Sequence, residues 1–72
     1  MEVGFEFDYP HCRGVVTDFQ EITTGLFVCV VKMIVNDQTK YGRVIFSETS
    51  PWGPDNPSPV WTDYDKAVQF SF

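Results

Sequence analysis

Seventy-two residues leave room for one domain and no linker, since self-supporting cores rarely form below about 40 residues and two would need roughly twice this length. At 43% hydrophobic, 17% aromatic and 21% charged, the chain is too apolar for a disordered tail, a collagen-like chain or a low-complexity segment, so residues 1–72 read as one compact domain. Ten Asp and Glu against five Lys and Arg give a net charge of -5, which repels phosphate backbones. Arg13, Lys32, Lys40, Arg43 and Lys66 are scattered rather than clustered, so direct nucleic-acid binding is not expected.

In chain order, Val3, Phe5 and Phe7 alternate with Glu2, Gly4, Glu6 and Asp8, the period of a strand with one buried and one wet face. Tyr9-Pro10 ends it, because proline has no ladder donor and restricts the residue before it. Residues 14–22 hold Val15, Val16, Phe19 and Ile22 among polar positions and read as a short irregular strand. After Thr23-Thr24-Gly25, the run from Leu26 to Val35 is dense in β-branched residues and predicts a central strand. The polar residues 36–40 then turn the chain into an antiparallel partner over residues 41–48, forming a hairpin.

Residues 49–60 contain Pro51, Pro54, Pro57 and Pro59, which neither a ladder nor a helix can carry through, so an ordered loop is expected. Thr62 then offers an N-cap, with Asp63 and Asp65 in the first turn complementing the helix dipole and Thr62-x-x-Asp65 approximating a capping box. Tyr64, Ala67 and Val68 recur at helical spacing, predicting one short C-terminal helix. The fold expected is α+β: a three- to four-stranded antiparallel, meander-like sheet with the helix packed on one face.

The central strand is apolar on both faces, and a helix of about nine residues, about 13 Å long, shields only part of one. Cover for the other face has three candidate sources: the proline-rich loop with Trp52 and Trp61, strong curling of the sheet, or a second chain. Single cores of this size seldom exceed about 3 to 5 kcal/mol, which favours a homodimer. Lys32 interrupts the apolar run as a guard against open-ended strand pairing.

No motif names a reaction. His11 with Cys12 and Cys29 supplies fewer than the four ligands of a closed zinc site and has no ligand spacing, so neither metal nor cofactor is expected. Adjacent residues on extended backbone project to opposite sides, which places His11 badly to activate Cys12. No catalytic residue is assigned, and an enzyme is the less favoured class. Met1-Glu2 opens without the basic and apolar regions of a secretory signal, and the longest apolar run is ten residues against about 18 for a bilayer span, so a cytoplasmic chain with reduced thiols and no membrane partner is expected.

Three functional readings follow. The leading one is a non-enzymatic protein-interaction module, paired with itself or another protein through the second sheet face or through Trp52, Pro54 and Trp61 on the stiff loop. The second is a small-ligand binder or minor enzyme with Tyr41, Tyr64 and Trp61 walling a pocket between sheet and helix. The third takes Glu2, Glu6 and Asp8 as an acidic row along one strand face, Glu6 and Asp8 about 7 Å apart. In size and charge the chain is similar to the small acidic inhibitors of nucleic-acid enzymes that phages and other mobile elements encode.

Overall fold

The computed structural model describes residues 1–51 and 53–72, so the expectation for Trp52 lies outside the described residues. Five strands form one antiparallel sheet in sequence order: β1 (Glu6–Tyr9), β2 (Cys12–Thr23), β3 (Leu26–Val35), β4 (Gln38–Ser47) and β5 (Val60–Trp61). The single helix α1 (Tyr64–Ser71) follows and packs on β3, β4 and β5. The architecture is the α+β meander expected from the sequence, with a two-residue fifth strand added at one edge.

Each connection is set by local chemistry. Asn36 and Asp37 both take positive φ, 52° and 64°, the backbone of a two-residue turn whose twist matches the strands it joins. Pro10-His11 closes the first hairpin, with Tyr9 opposite Cys12. Gly25, at φ 78°, closes the second, and there Glu21 accepts a hydrogen bond from the Gly25 amide at 3.1 Å.

Three local expectations are corrected. Val3 lies before the first strand and is 66% exposed, because Gly4 at φ 90° turns the chain and strand pairing begins at Glu6. Glu2 therefore does not share a strand face with Glu6 and Asp8. The helix cap is Asp63 rather than Thr62: Asp63 has extended backbone, and its carboxylate accepts from the amides of Asp65 at 2.8 Å and Lys66 at 3.4 Å. The irregular strand at residues 14–22 is longer than expected, running as β2 from Cys12 to Thr23 with register shifts between Val16 and Asp18 and between Glu21 and Thr23.

Both faces of β3 are buried, as its composition requires. Phe27, Cys29, Val31 and Met33 face one side with Phe7, Cys12, Val16, Val44 and Phe46, forming the main core. Val28 and Val30 face the other side, where α1 lies and Ala67 is fully buried. Burying a side chain of valine size contributes about 1.5 kcal/mol or more, so these positions dominate stability.

The main core is closed by curling and by the loop. Across a flat sheet β1 and β4 would stand about 14 Å apart, yet the Phe7 and Phe46 rings meet edge to face at 5.2 Å. Gly14 permits this curl: a Cβ there would press on the Lys32 carbonyl oxygen and on Phe7 and Met33. Gly42 does the same for the loop, since its Cβ would stand 2.6 Å from Pro57 and 2.8 Å from the Met33 methyl. Pro54 is buried, and the Tyr9 ring packs on the backbone of Gly53. Backbone hydrogen bonds from Arg43 to Pro59 and from Ser58 to Arg43, 3.1 and 3.0 Å, fasten the loop's return to β4. No helix among the described residues is long and apolar enough to cross a membrane.

Candidate functional site

The groups best suited to chemistry are each engaged in structure. His11 Nε2 donates to the Pro54 carbonyl oxygen at 2.7 Å, tying the first hairpin to the loop. Cys12 and Cys29 are unbridged and buried. Burial raises the Cys12 thiol pKa, and it pushes Cys29 up to about 11, against a smaller opposing pull from the N-terminal ammonium. A thiol so placed stays neutral near pH 7 and is a poor nucleophile or metal ligand. Among the described residues no three His, Cys, Asp or Glu side chains gather in a metal-holding cluster.

The aromatic candidates do come together. Trp61 in β5 is half-buried opposite Tyr41 of β4, and the Tyr41 ring meets Tyr64 of α1 edge to face at 5.3 Å. Tyr64 also donates its hydroxyl to the Asp18 carboxylate at 2.6 Å, and that bond raises the Tyr64 pKa above the usual tyrosine value. The contact of the two rings packs the first turn of α1 onto β4.

An aromatic hollow exists on the opposite, concave face. Phe5, Tyr9, Phe27 and Phe46 line a cavity of about 420 Å³, with Met1, Glu2 and Glu48 also at its surface. Sequence reading missed it because β1 and β4 are distant in chain order and meet only through the curl. Of the acidic row, Glu6 and Asp8 remain on one face of β1, and Asp8 lies opposite Arg13 in the register.

The outer edge of β2 is unpaired over part of its length. Strand β1 pairs only as far as Val15, and the segment before it adds two bonds at Val16: Gly4 N–H to the Val16 carbonyl, 2.8 Å, and Val16 N–H to the Phe5 carbonyl, 2.9 Å. Beyond Val16, β2 runs to Thr23 beside β3 on one side, with Thr17 and Ile22 at the register shifts, and among the described residues no strand pairs with its other side. Exposed apolar residues line this stretch, Phe19 at 37% and Ile22 at 53%. Val3, Phe19, Val68 and Phe72 border a shallow groove of about 380 Å³ with Asp18 and Gln20.

Two sequence features pointed there. A first strand stopped by Pro10 cannot match a partner running to Thr23, and Phe19 and Ile22 are apolar within a polar stretch. Set against family models, curated proteins and solved structures, the chain has no significant match in any of the three.

Proposed function

We propose that the chain is a small acidic, non-enzymatic protein-interaction module that works as a homodimer. The observation that carries this reading is the unpaired edge of β2 at residues 17–23, beside exposed Val3, Phe19, Ile22 and Phe72. Proteins usually blunt such an edge with Lys, Pro or a covering loop, because unpaired main-chain groups recruit another strand. Here the edge offers main-chain groups and apolar side chains together, the combination that strand addition uses for affinity and specificity.

The chemistry-bearing groups support the same reading, since His11 holds the loop and both thiols are buried. Two unpaired thiols inside the core are in keeping with a reducing, cytoplasmic setting. Sedimentation equilibrium at two loading concentrations about tenfold apart tests the proposal. A mass of two chains at the higher concentration is expected, and a single-chain mass at both would remove the homodimer.

A second reading is favoured by the concave hollow of Phe5, Tyr9, Phe27 and Phe46, whose volume falls within the range of small-molecule sites. It makes the chain a binder of small aromatic ligands. Chemical-shift mapping with indole tests it: saturable shifts confined to those rings support it, and their absence at millimolar indole removes it.

A further inference from the structure

We propose that the β2 edge pairs with the same edge of a second copy, antiparallel about a two-fold axis through Gln20, so that two five-stranded sheets join into one of ten strands. The inference rests on the interaction-module reading and assigns its partner, surface and register.

The register follows from main-chain geometry. Val16 turns its N–H and C=O outward, to Phe5 and Gly4. One extra residue is then accommodated at Thr17, where the partners step from Val16↔Val31 to Asp18↔Val30. Beyond the bulge, antiparallel alternation turns the groups of Asp18 and Gln20 toward β3 and those of Phe19 and Glu21 outward. Two copies can therefore exchange hydrogen bonds between Phe19 of one and Glu21 of the other, twice over. Gln20 faces its own counterpart across the axis as a non-hydrogen-bonded pair.

Side-chain chemistry weighs against two neighbouring registers of self-pairing. A slip that centred the axis on Glu21 would set two carboxylates against each other, and one centred on Asp18 would do likewise, which destabilises a strand pair. Centred on Gln20, Glu21 meets Phe19 and Asp18 meets Ile22, so each acid faces an apolar residue. Both carboxylates are also held within their own chain, Asp18 by the Tyr64 hydroxyl and Glu21 by the Gly25 amide. They are thereby drawn off from guarding the edge. An axis perpendicular to the sheet keeps both helices on one face, with Phe72 of each chain beside the new strand pair.

The sign of the salt dependence separates this partner from an unrelated one. Each copy carries -5, so added salt screens their mutual repulsion and tightens self-pairing, whereas a basic partner strand would be released by salt.

The experiment uses the full chain with Gln20→Cys, Gln20→Lys and, as a control on an exposed residue at the far end of the sheet, Gln38→Cys. Opposed Cα atoms in a non-hydrogen-bonded antiparallel pair lie about 4.5 Å apart, within disulfide range. Mild oxidation should convert most of Gln20→Cys to a covalent dimer and leave Gln38→Cys monomeric. Gln20→Lys should weaken the dimer at least tenfold by sedimentation, with the far-ultraviolet spectrum unchanged because Gln20 is exposed. A dimer that persists in Gln20→Lys and fails to cross-link through Gln20→Cys would overturn the β2 edge while leaving the homodimer reading intact. A chain that stays monomeric at every concentration and salt level would overturn both.

Discussion

The Tyr64 hydroxyl and the Asp18 carboxylate, 46 residues apart in sequence, stand 2.6 Å from each other and fasten the first turn of the helix to the strand whose edge is free. A hydrogen bond to a charged acceptor at a partly exposed site contributes about 1 kcal/mol. Tyr64→Phe is therefore expected to lower the melting temperature by about 4–8 °C, the usual response of a domain this small to about 1 kcal/mol. The same bond keeps the phenol protonated to higher pH, so the Tyr64 titration in absorbance should move down toward the ordinary tyrosine value in Asp18→Asn.

Helix capping gives a second outcome. The Asp63 carboxylate accepts from two otherwise orphaned amides at the start of α1, and its removal in Asp63→Ala should cost about 1 kcal/mol. Thr62→Ala should cost markedly less. Chemical denaturation of the two variants side by side reads the difference.

That pair of residues also marks what the sequence could and could not convey. Both Thr62 and Asp63 are capping types, so the composition located the helix start to within one residue and only the backbone decided between them. The two-faced apolar run of β3 required cover on both sides, and it has it: α1 on one face, the curled sheet and the proline loop on the other. Strand β2 was harder to read because two register shifts break its alternation, leaving Val16, Phe19 and Ile22 three residues apart, a spacing that suits a helical turn as well as an irregular strand. Its free edge follows from unequal strand lengths, for which Pro10 after β1 and the apolar Phe19 and Ile22 in a polar stretch were the sequence signals. The concave hollow was harder to read because the approach of Phe5 and Phe7 to Phe46 depends on curvature, which the missing Cβ of Gly14 permits.

Alkaline pH should destabilise the fold through Cys29. Its folded-state pKa of about 11 lies above the ordinary thiol value of 9.0. Between those two values the unfolded chain releases a proton that the native chain keeps, so native stability is full below pH 9 and declines as the pH rises toward 11. Denaturation midpoints measured from pH 8 to 11 should fall across this window, and Cys29→Ala, although less stable at pH 8, should fall less steeply. Native protein at pH 8 should also leave both thiols unlabelled by a disulfide reagent until it is unfolded.

A final substitution probes the seam between sheet and loop. Gly42→Ala places a methyl group 2.6 Å from Pro57 and 2.8 Å from Met33, closer than packed carbons tolerate. Displacing the proline should cost about 1–3 kcal/mol, and amide exchange at Ser58, whose N–H bonds Arg43, should accelerate before that of the β3 core.

Phe72, the last residue, borders the groove beside β2, whereas Met1 lies at the concave hollow on the other face. An affinity tag or a fluorescent fusion joined after Phe72 would hang over the backbone that a second copy needs, and one joined before Met1 would leave from the other face. Preparations tagged after Phe72 and their cleaved counterparts should differ in mass for that reason alone. A label meant to leave assembly undisturbed belongs instead at the Asn36-Asp37 turn, on the tip of the β3–β4 hairpin.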